Sequence, residues 1–259
     1  MGPAPFLCLF FSGRLFIVIA VIRYNRLVLF TGWLTFWLSL VLFSGTVRSQ
    51  TLIAFGDSLT EGCGVSQQGC DGWDAGDYNY PVYLQALFKA EGRETIVKNF
   101  GKGGETTSEG VNRLEAVLNN SCNAKIDYVL LLHGTNDLFH HTDPEVVYFN
   151  LGVMIDKIRA RGIQAVLATI TPDEDHSWKE IERTNNLIRK LAVDKDVIFV
   201  DQYNVVGQYW YWYTNPGGCY GDRLHPNQKG FYAIAAAWHE AIPKPPASLP
   251  WLMLLLNTP

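Results

Sequence analysis

Short uninterrupted apolar runs, separated by longer stretches of helical character, constrain this chain more than any other feature. Residues 52–55, 128–132, 165–170 and 197–200 read as strands lacking the alternation of a sheet with one wet face, and 95–100 reads as another strand. Residues 81–90, 108–118, 144–161, 178–192 and 227–241 read as helices. In the fourth of these, Ile181, Leu187, Ile188 and Leu191 fall near helical spacing. Strands apolar on both faces, each followed by a helix, call for a parallel sheet covered on both sides. The expected fold class is therefore α/β, a three-layer α/β/α sandwich.

Charge narrows the function classes. The 259 residues carry a net charge of −4; residues 1–49 hold four arginines and no other charged side chain, which leaves −8 on the remainder. A body this acidic lacks the basic footprint of a nucleic-acid binder, so no nucleic-acid partner is expected. Residues 1–49 are set apart: an apolar stretch broken by Arg14 ends near Ile22, Arg23 and Arg26 follow, and 27–43 run without a charge. This pattern reads as a signal peptide ending near Val47-Arg48-Ser49, or as a membrane anchor if it is retained. The stretch before Arg23 is longer than a signal peptide needs, and a start near Val21 would be more usual. Export, or attachment through this segment, is expected. A domain over 50–242 follows, and then a proline-rich and apolar tail over 243–259, too short in its apolar part to span a bilayer.

Four cysteines lie in the body: Cys63, Cys70, Cys122 and Cys219. An exported protein would pair them as two disulfides, with Cys63–Cys70 the more natural local pair; four buried thiols is the alternative. The segment 63–80 is rich in acidic and aromatic residues (Asp71, Trp73, Asp74, Asp77, Tyr78 and Tyr80) and follows closely on the first strand. By position it could rim a substrate pocket, and a solvated loop pinned by a disulfide is the favoured reading. Its acidic spacing does not match an EF-hand.

Ligand sites in parallel α/β sheets form beyond the carboxyl ends of the strands. Four polar clusters fall there. Gly56-Asp57-Ser58-Leu59 follows the first strand and can project a serine hydroxyl from a strand-to-helix turn, although Ser58 could equally be a helix N-cap. The 99–106 segment, Asn-Phe-Gly-Lys-Gly-Gly-Glu-Thr, follows the second strand. Its glycines can aim backbone N–H groups inward, and it lacks the spacing of a phosphate-binding loop. Gly134-Thr135-Asn136-Asp137 follows the third strand, where an asparagine amide can donate into a site or simply serve a turn. Asp222-Arg223-Leu224-His225-Pro226 precedes the last helix, with Pro226 suited to its first turn. A carboxylate three residues before an imidazole can fix its tautomer.

Taken together and in this order, the four clusters resemble the blocks of the SGNH/GDSL hydrolase family over residues 51–241. The Gly-x-Ser-x-Gly elbow of the α/β-hydrolases is absent. The resemblance implies a flavodoxin-like fold with five parallel strands in the order 2-1-3-4-5. It also implies an ester hydrolase in which Ser58 is the nucleophile, His225 the general base and Asp222 its orienting carboxylate. The oxyanion donors would be the N–H groups of Ser58 and Gly104 and the amide of Asn136. No metal and no organic cofactor is implied. The expected substrate is a small-molecule ester, either a short acyl or acetylated carbohydrate ester or a lysophospholipid or fatty ester, acted on by a monomer. An acyltransferase using the same acyl-enzyme and a non-catalytic carbohydrate- or lipid-binding module are the alternatives.

Other residues are weighed on their own. His133, His140 and His141 invite a metal reading, but no His-Glu-x-x-His or cysteine–histidine set accompanies them, and packed or solvated histidines are expected. His176 and His239 are assigned no role. The 209–213 segment, Tyr-Trp-Tyr-Trp-Tyr, shortly precedes the Asp-His loop. If it is extended, alternate side chains face opposite ways. With Trp73, Tyr209, Tyr211 and Tyr213 are the expected substrate-contacting residues.

Overall fold

A computed structural model describes residues 49–62, 79–119, 125–174, 176–214 and 222–244. The strands are β1 (Gln50–Gly56), β2 (Thr95–Gly101), β3 (Tyr128–Leu132), β4 (Gln164–Ala168) and β5 (Ile198–Val200). They form one sheet in the order β2-β1-β3-β4-β5, every pair parallel. The longer helices are α2 (Tyr80–Ala90), α3 (Thr107–Asn119), α5 (Pro144–Arg159), α6 (Trp178–Lys195) and α9 (Gln228–Ala241). Short helices α1 (Ser58–Glu61), α4 (Thr135–Phe139), α7 (Gln202–Gly207) and α8 (Trp210–Thr214) cap the strand ends or lead into α9.

Alternation along the strands divides the core into two layers. Ile53, Phe55, Val129, Leu131, Ala165 and Leu167 point to one face, where α3, α5 and α6 cover them with Leu114, Leu151, Met154, Ile181 and Ile188. Leu52, Ala54, Leu130, Leu132 and Val166 point to the other, against Leu84 and Phe88 of α2 and Phe231, Ile234 and Trp238 of α9. Both sets are buried, which is why the central strands read as continuous apolar runs. Trp238 is fully buried and its ring stacks on Tyr80, with centroids 6.1 Å apart. Trp238→Ala should cost about 3–5 kcal/mol of stability through the cavity it leaves, readable as a lowered urea midpoint. An unchanged midpoint would show that α9 does not pack as described.

Register matters most for the site. Gly56 at the end of β1 pairs with Gly101 of β2 and with Leu132 of β3, so these three strands end level. The chain leaves β1 toward β2 and then crosses back to β3, and the loops after β1 and β3 diverge to open a crevice there. A side chain at Gly101 would meet the backbone nitrogen of Glu61 at 2.0 Å. Only glycine lets β2 approach closely enough to support the turn that follows β1.

Several boundaries differ from the sequence expectation for identifiable reasons. The fourth strand stops at Ala168 rather than at residue 170, because the Asn185 side chain takes both backbone groups of Ile170 (N–H to Oδ1, 3.0 Å; Nδ2 to carbonyl, 3.1 Å). α5 stops at Arg159, and α6 runs on to Lys195, where Asp196 caps it in the left-handed conformation (φ 48°). Pro226 lies outside α9. Asn227 is the N-cap, accepting from the Gly230 N–H at 3.1 Å. Tyr80 is not on a rim: it opens α2, is fully buried and lies 3.3 Å from the Thr60 hydroxyl. The leader, the tail after residue 244, Trp73 and all four body cysteines lie outside the described residues, and so does any disulfide between them. Among the described residues no helix is long and apolar enough to cross a membrane.

Candidate active site

The turn after β1 decides between the two readings of Ser58. Asp57, not Ser58, is the N-cap of α1: its Oδ1 accepts the Leu59 N–H at 3.0 Å. Ser58 is thus the first helical residue, and its hydroxyl remains free for chemistry. Asp57 is fully buried, and burial pushes its carboxyl above the ordinary value despite the opposing charge of His133.

The loop before α9 delivers the partner. Asp222 Oδ1 accepts from the backbone N–H groups of Leu224 (3.0 Å) and His225 (2.7 Å), a tight turn that swings the imidazole back over the carboxylate. Asp222 Oδ2 lies 2.7 Å from His225 Nδ1, and His225 Nε2 lies 2.8 Å from Ser58 Oγ. Burial would raise the Asp222 carboxyl, but the His225 backbone and ring hydrogen bonds outweigh it and leave the group below its usual range. An ionised carboxylate only accepts, so Nδ1 carries the proton and the Nε2 lone pair faces the serine hydroxyl. This arrangement can withdraw the hydroxyl proton as the oxygen attacks.

Potential anion donors surround the serine. Gly104 sits in the turn after β2 at φ 74°, which glycine adopts without strain. The backbone N–H groups of Ser58 and Gly104 have no acceptor among the described residues, whereas that of Gly103 is taken by Glu61 Oε2 at 2.8 Å. Asn136 lies in the short helix α4. Its Nδ2 donates one hydrogen to the Glu105 carbonyl at 3.0 Å, leaving the second available. Asp137, fully buried, holds α4 to the start of α3 by accepting from the Thr107 N–H (2.8 Å) and hydroxyl (2.7 Å). A hollow of about 450 Å³ opens onto this group. Glu61, Gly103, Phe139 and Leu224 line it together with Ser58, Gly104, Asn136, Asp222 and His225.

Comparison with known proteins agrees with this geometry. Residues 54–233 match the model of the GDSL-like lipase/acylhydrolase family, a span covering all four motif-bearing loops. The chain belongs to this family. It is a GDSL-family ester hydrolase. It is 28% identical over 163 residues to Esterase TesA of Pseudomonas aeruginosa, covering 63% of this chain and 75% of that protein. It is also 27% identical over 195 residues to the arylesterase of Vibrio mimicus, covering 73% and 88%. Among solved structures it resembles Axe2, an acetylxylan esterase from Geobacillus stearothermophilus, with a TM-score of 0.60 at 21% identity over 78% of this chain and 98% of that one. It likewise resembles an α/β hydrolase enzyme from the metagenome of Lake Arreo, Spain, with a TM-score of 0.63 at 22% identity over 76% and 97%. The structural likenesses show the five-stranded parallel α/β fold.

Not every expected residue reaches the hollow of this esterase. Tyr209, Tyr211 and Tyr213 are not among the described residues that line it. Tyr209 lies in the turn before α8 and the rest of the segment is part of that helix, not an extended strand. Trp210 is buried against the second core layer, its Nε1 donating to the Arg223 carbonyl at 3.1 Å. Tyr209 and Tyr211 are exposed, and Tyr213 packs near Gly230 of α9. His133 is buried beside Glu105, while His140 and His141 are exposed at the end of α4. Sequence reasoning missed Glu61, Phe139 and Leu224. Each lies within three residues of a singled-out residue, a proximity that could have marked them. His176 also gains a structural place: its Nδ1 lies 3.0 Å from both Asp173 oxygens, and its ring meets Phe139 edge-on at 4.1 Å. A second Asp-x-x-His turn thus backs one wall of the hollow.

Proposed function

We propose that the enzyme hydrolyses short-chain acyl esters, acetyl esters of polar alcohols foremost, with Ser58, His225 and Asp222 as its catalytic triad. The observation that carries the chemistry is the continuous hydrogen-bonded chain from Asp222 through His225 to Ser58, opening directly onto the hollow. Ser58 Oγ attacks the ester carbonyl carbon and its proton passes to His225 Nε2. The oxyanion is held by the N–H groups of Ser58 and Gly104 and by Asn136 Nδ2. The intermediate collapses, His225 returns the proton to the departing alcohol, and acyl-Ser58 remains. Water, deprotonated by His225, then attacks the acyl carbon; the acid leaves and Ser58 regains its proton.

The short-acyl reading rests on the lining: among the described residues Phe139 and Leu224 are its apolar side chains, and the others are polar or glycine. The likeness to an acetylxylan esterase fold is in keeping with it. The arginine-flanked apolar leader supports action outside the cytoplasm, testable by cell fractionation with N-terminal sequencing of the native protein.

A p-nitrophenyl ester series from acetate to palmitate tests the substrate. We expect kcat/KM to be highest for acetate or butyrate. A value that climbs toward the long chains would replace this reading with a lipid one. In the same assay Asn136→Ala should lower kcat by about 10²–10³-fold with the fold intact, since it deletes one oxyanion donor. Near-full activity would remove Asn136 from that role.

A further inference from the structure

Glu105 directly follows Gly104, and its side chain is wholly buried, yet it performs no step of the reaction above. Its carboxylate is gripped from two directions. Arg113 of α3 donates through Nε to Oε1 (2.6 Å) and through Nη2 to Oε2 (2.5 Å), a two-point contact with the geometric specificity of a guanidinium fork. His133, immediately beyond β3, places Nε2 3.2 Å from Oε2. The carboxylate only accepts, so this nitrogen carries the proton. Lys102 Nζ stands 3.6 Å from Oε1 on the exposed side. Burial works against the charge on Glu105, and the hydrogen bonds from His133 and Arg113 more than offset it, bringing the carboxyl down to about 2. The Glu105 carboxylate therefore stays ionised through neutral and mildly acidic pH.

The clamp reaches each loop that builds the site after the first three strands. Arg113 lies 4.2 Å over the Phe55 ring, and its Nη2 donates to the Gly56 carbonyl at 3.3 Å. Phe55 and Gly56 lead directly into Asp57 and Ser58. The backbone carbonyl of Glu105 accepts Asn136 Nδ2 at 3.0 Å. Glu105, the residue next to Gly104, is thus tied to β1 through Arg113, to the end of β3 through His133, and to α4 through Asn136. Donors stabilise a developing oxyanion only if they are aimed before the charge appears, and small misplacements are costly.

We propose that Glu105 is a positioning residue for the oxyanion site: the Arg113–Glu105–His133 clamp sets the direction of the Gly104 N–H and, through the Glu105 carbonyl, that of the Asn136 amide. The proposal rests on the oxyanion roles given above to Gly104 and Asn136. Glu105→Gln keeps the volume and an acceptor oxygen but removes the charge and half of the acceptor capacity.

Wild type, Glu105→Gln, Asn136→Ala and the double variant should be compared on p-nitrophenyl acetate. The affinity of each for a small boronic acid, which forms a tetrahedral anion on serine, would be measured in parallel, with near-ultraviolet circular dichroism to verify folding. We expect Glu105→Gln to lose about 10- to 100-fold in kcat, less than outright deletion of a donor, with KM nearly unchanged. Boronate affinity should fall in step with kcat. In the Asn136→Ala background the same change should cost clearly less, because one of the groups it aims is already gone. Three results would overturn the proposal: a folded Glu105→Gln with wild-type kcat and boronate affinity, losses that multiply fully in the double variant, or a rise in KM alone. If Glu105→Gln does not fold, Arg113→Lys breaks the two-point contact from the other side and is judged by the same criteria. Full activity of Asn136→Ala would instead defeat the oxyanion reading itself, an outcome distinct from failure of the clamp alone.

Discussion

Ser58→Ala should abolish ester hydrolysis, lowering kcat on p-nitrophenyl acetate by about 10⁴- to 10⁶-fold while the protein stays folded. The serine oxygen is the atom that forms the covalent intermediate, and alanine cannot replace it. The fold should tolerate the change, because the cap of α1 is supplied by Asp57 and the Ser58 hydroxyl is bonded to His225 rather than to the backbone. Burst kinetics add a check: wild type should release nitrophenol faster in the first turnover if deacylation is slow, and the variant should show no burst. Retention of more than a few per cent of the activity in a purified, folded variant would place the nucleophile elsewhere.

The second large effect belongs to Asp222→Asn, for which a loss of about 10⁴-fold in kcat is expected. Asparagine can still accept the Leu224 and His225 backbone N–H groups at Oδ1, so the loop should hold. Its amide nitrogen, placed where Oδ2 now accepts, would donate toward His225 Nδ1 and force the ring proton onto Nε2. The imidazole would then point a proton, not a lone pair, at Ser58. KM should change little, since asparagine keeps the size of the side chain it replaces in the hollow and the oxyanion donors are untouched. Activity within tenfold of wild type would mean that the backbone turn alone orients His225 and that the carboxylate contributes little.

The acidic side of the pH profile follows from the same pair. Asp222 sits below the ordinary carboxylate range, so its charge is present above that lowered value and is lost only as pH falls through it. The Asp222–His225 contact should therefore persist through mildly acidic pH. Replacing Asp222 should raise the unfolding free energy at no pH, and should lower it throughout the range above the ordinary carboxylate value, less as pH falls below it.

Much of this protein is written locally in the chain. Burial on both faces of a central strand requires apolar residues at every position, so 52–55, 128–132 and 165–168 announce themselves as strands of a covered parallel sheet. The helices show their apolar faces at helical spacing for the same reason. The four polar clusters were legible because the turn beyond a strand is short, and the residue types that chemistry needs are concentrated there. Ser58, Asn136, Asp222 and His225 stand out in these clusters, the family resemblance picks Gly104 from its glycine-rich loop, and all five line one hollow.

What the sequence could not show depends on atoms brought together from afar. Ser58 and His225 are 167 positions apart, and no local pattern reports a 2.8 Å contact between them. The aromatic run at 209–213 offered a substrate surface, a face packed on the domain, or both if extended. Tertiary packing instead turned it into a helix with Trp210 in the core, because an isolated short segment gains more by burying a large ring than by keeping an extended form. The sequence left Ser58 open as nucleophile or as the cap of α1; in the folded chain Asp57 is the cap, in a turn that Gly101 supports closely beneath Glu61. The buried clamp of Glu105, Arg113 and His133 was equally hidden. Its members come from a loop, a helix and a strand end, and a charged residue reads as solvated until the fold supplies its partners. Periodic burial acts between near neighbours in the chain and so leaves a sequence signature, whereas electrostatic pairing and site geometry are settled only when distant segments close on one another.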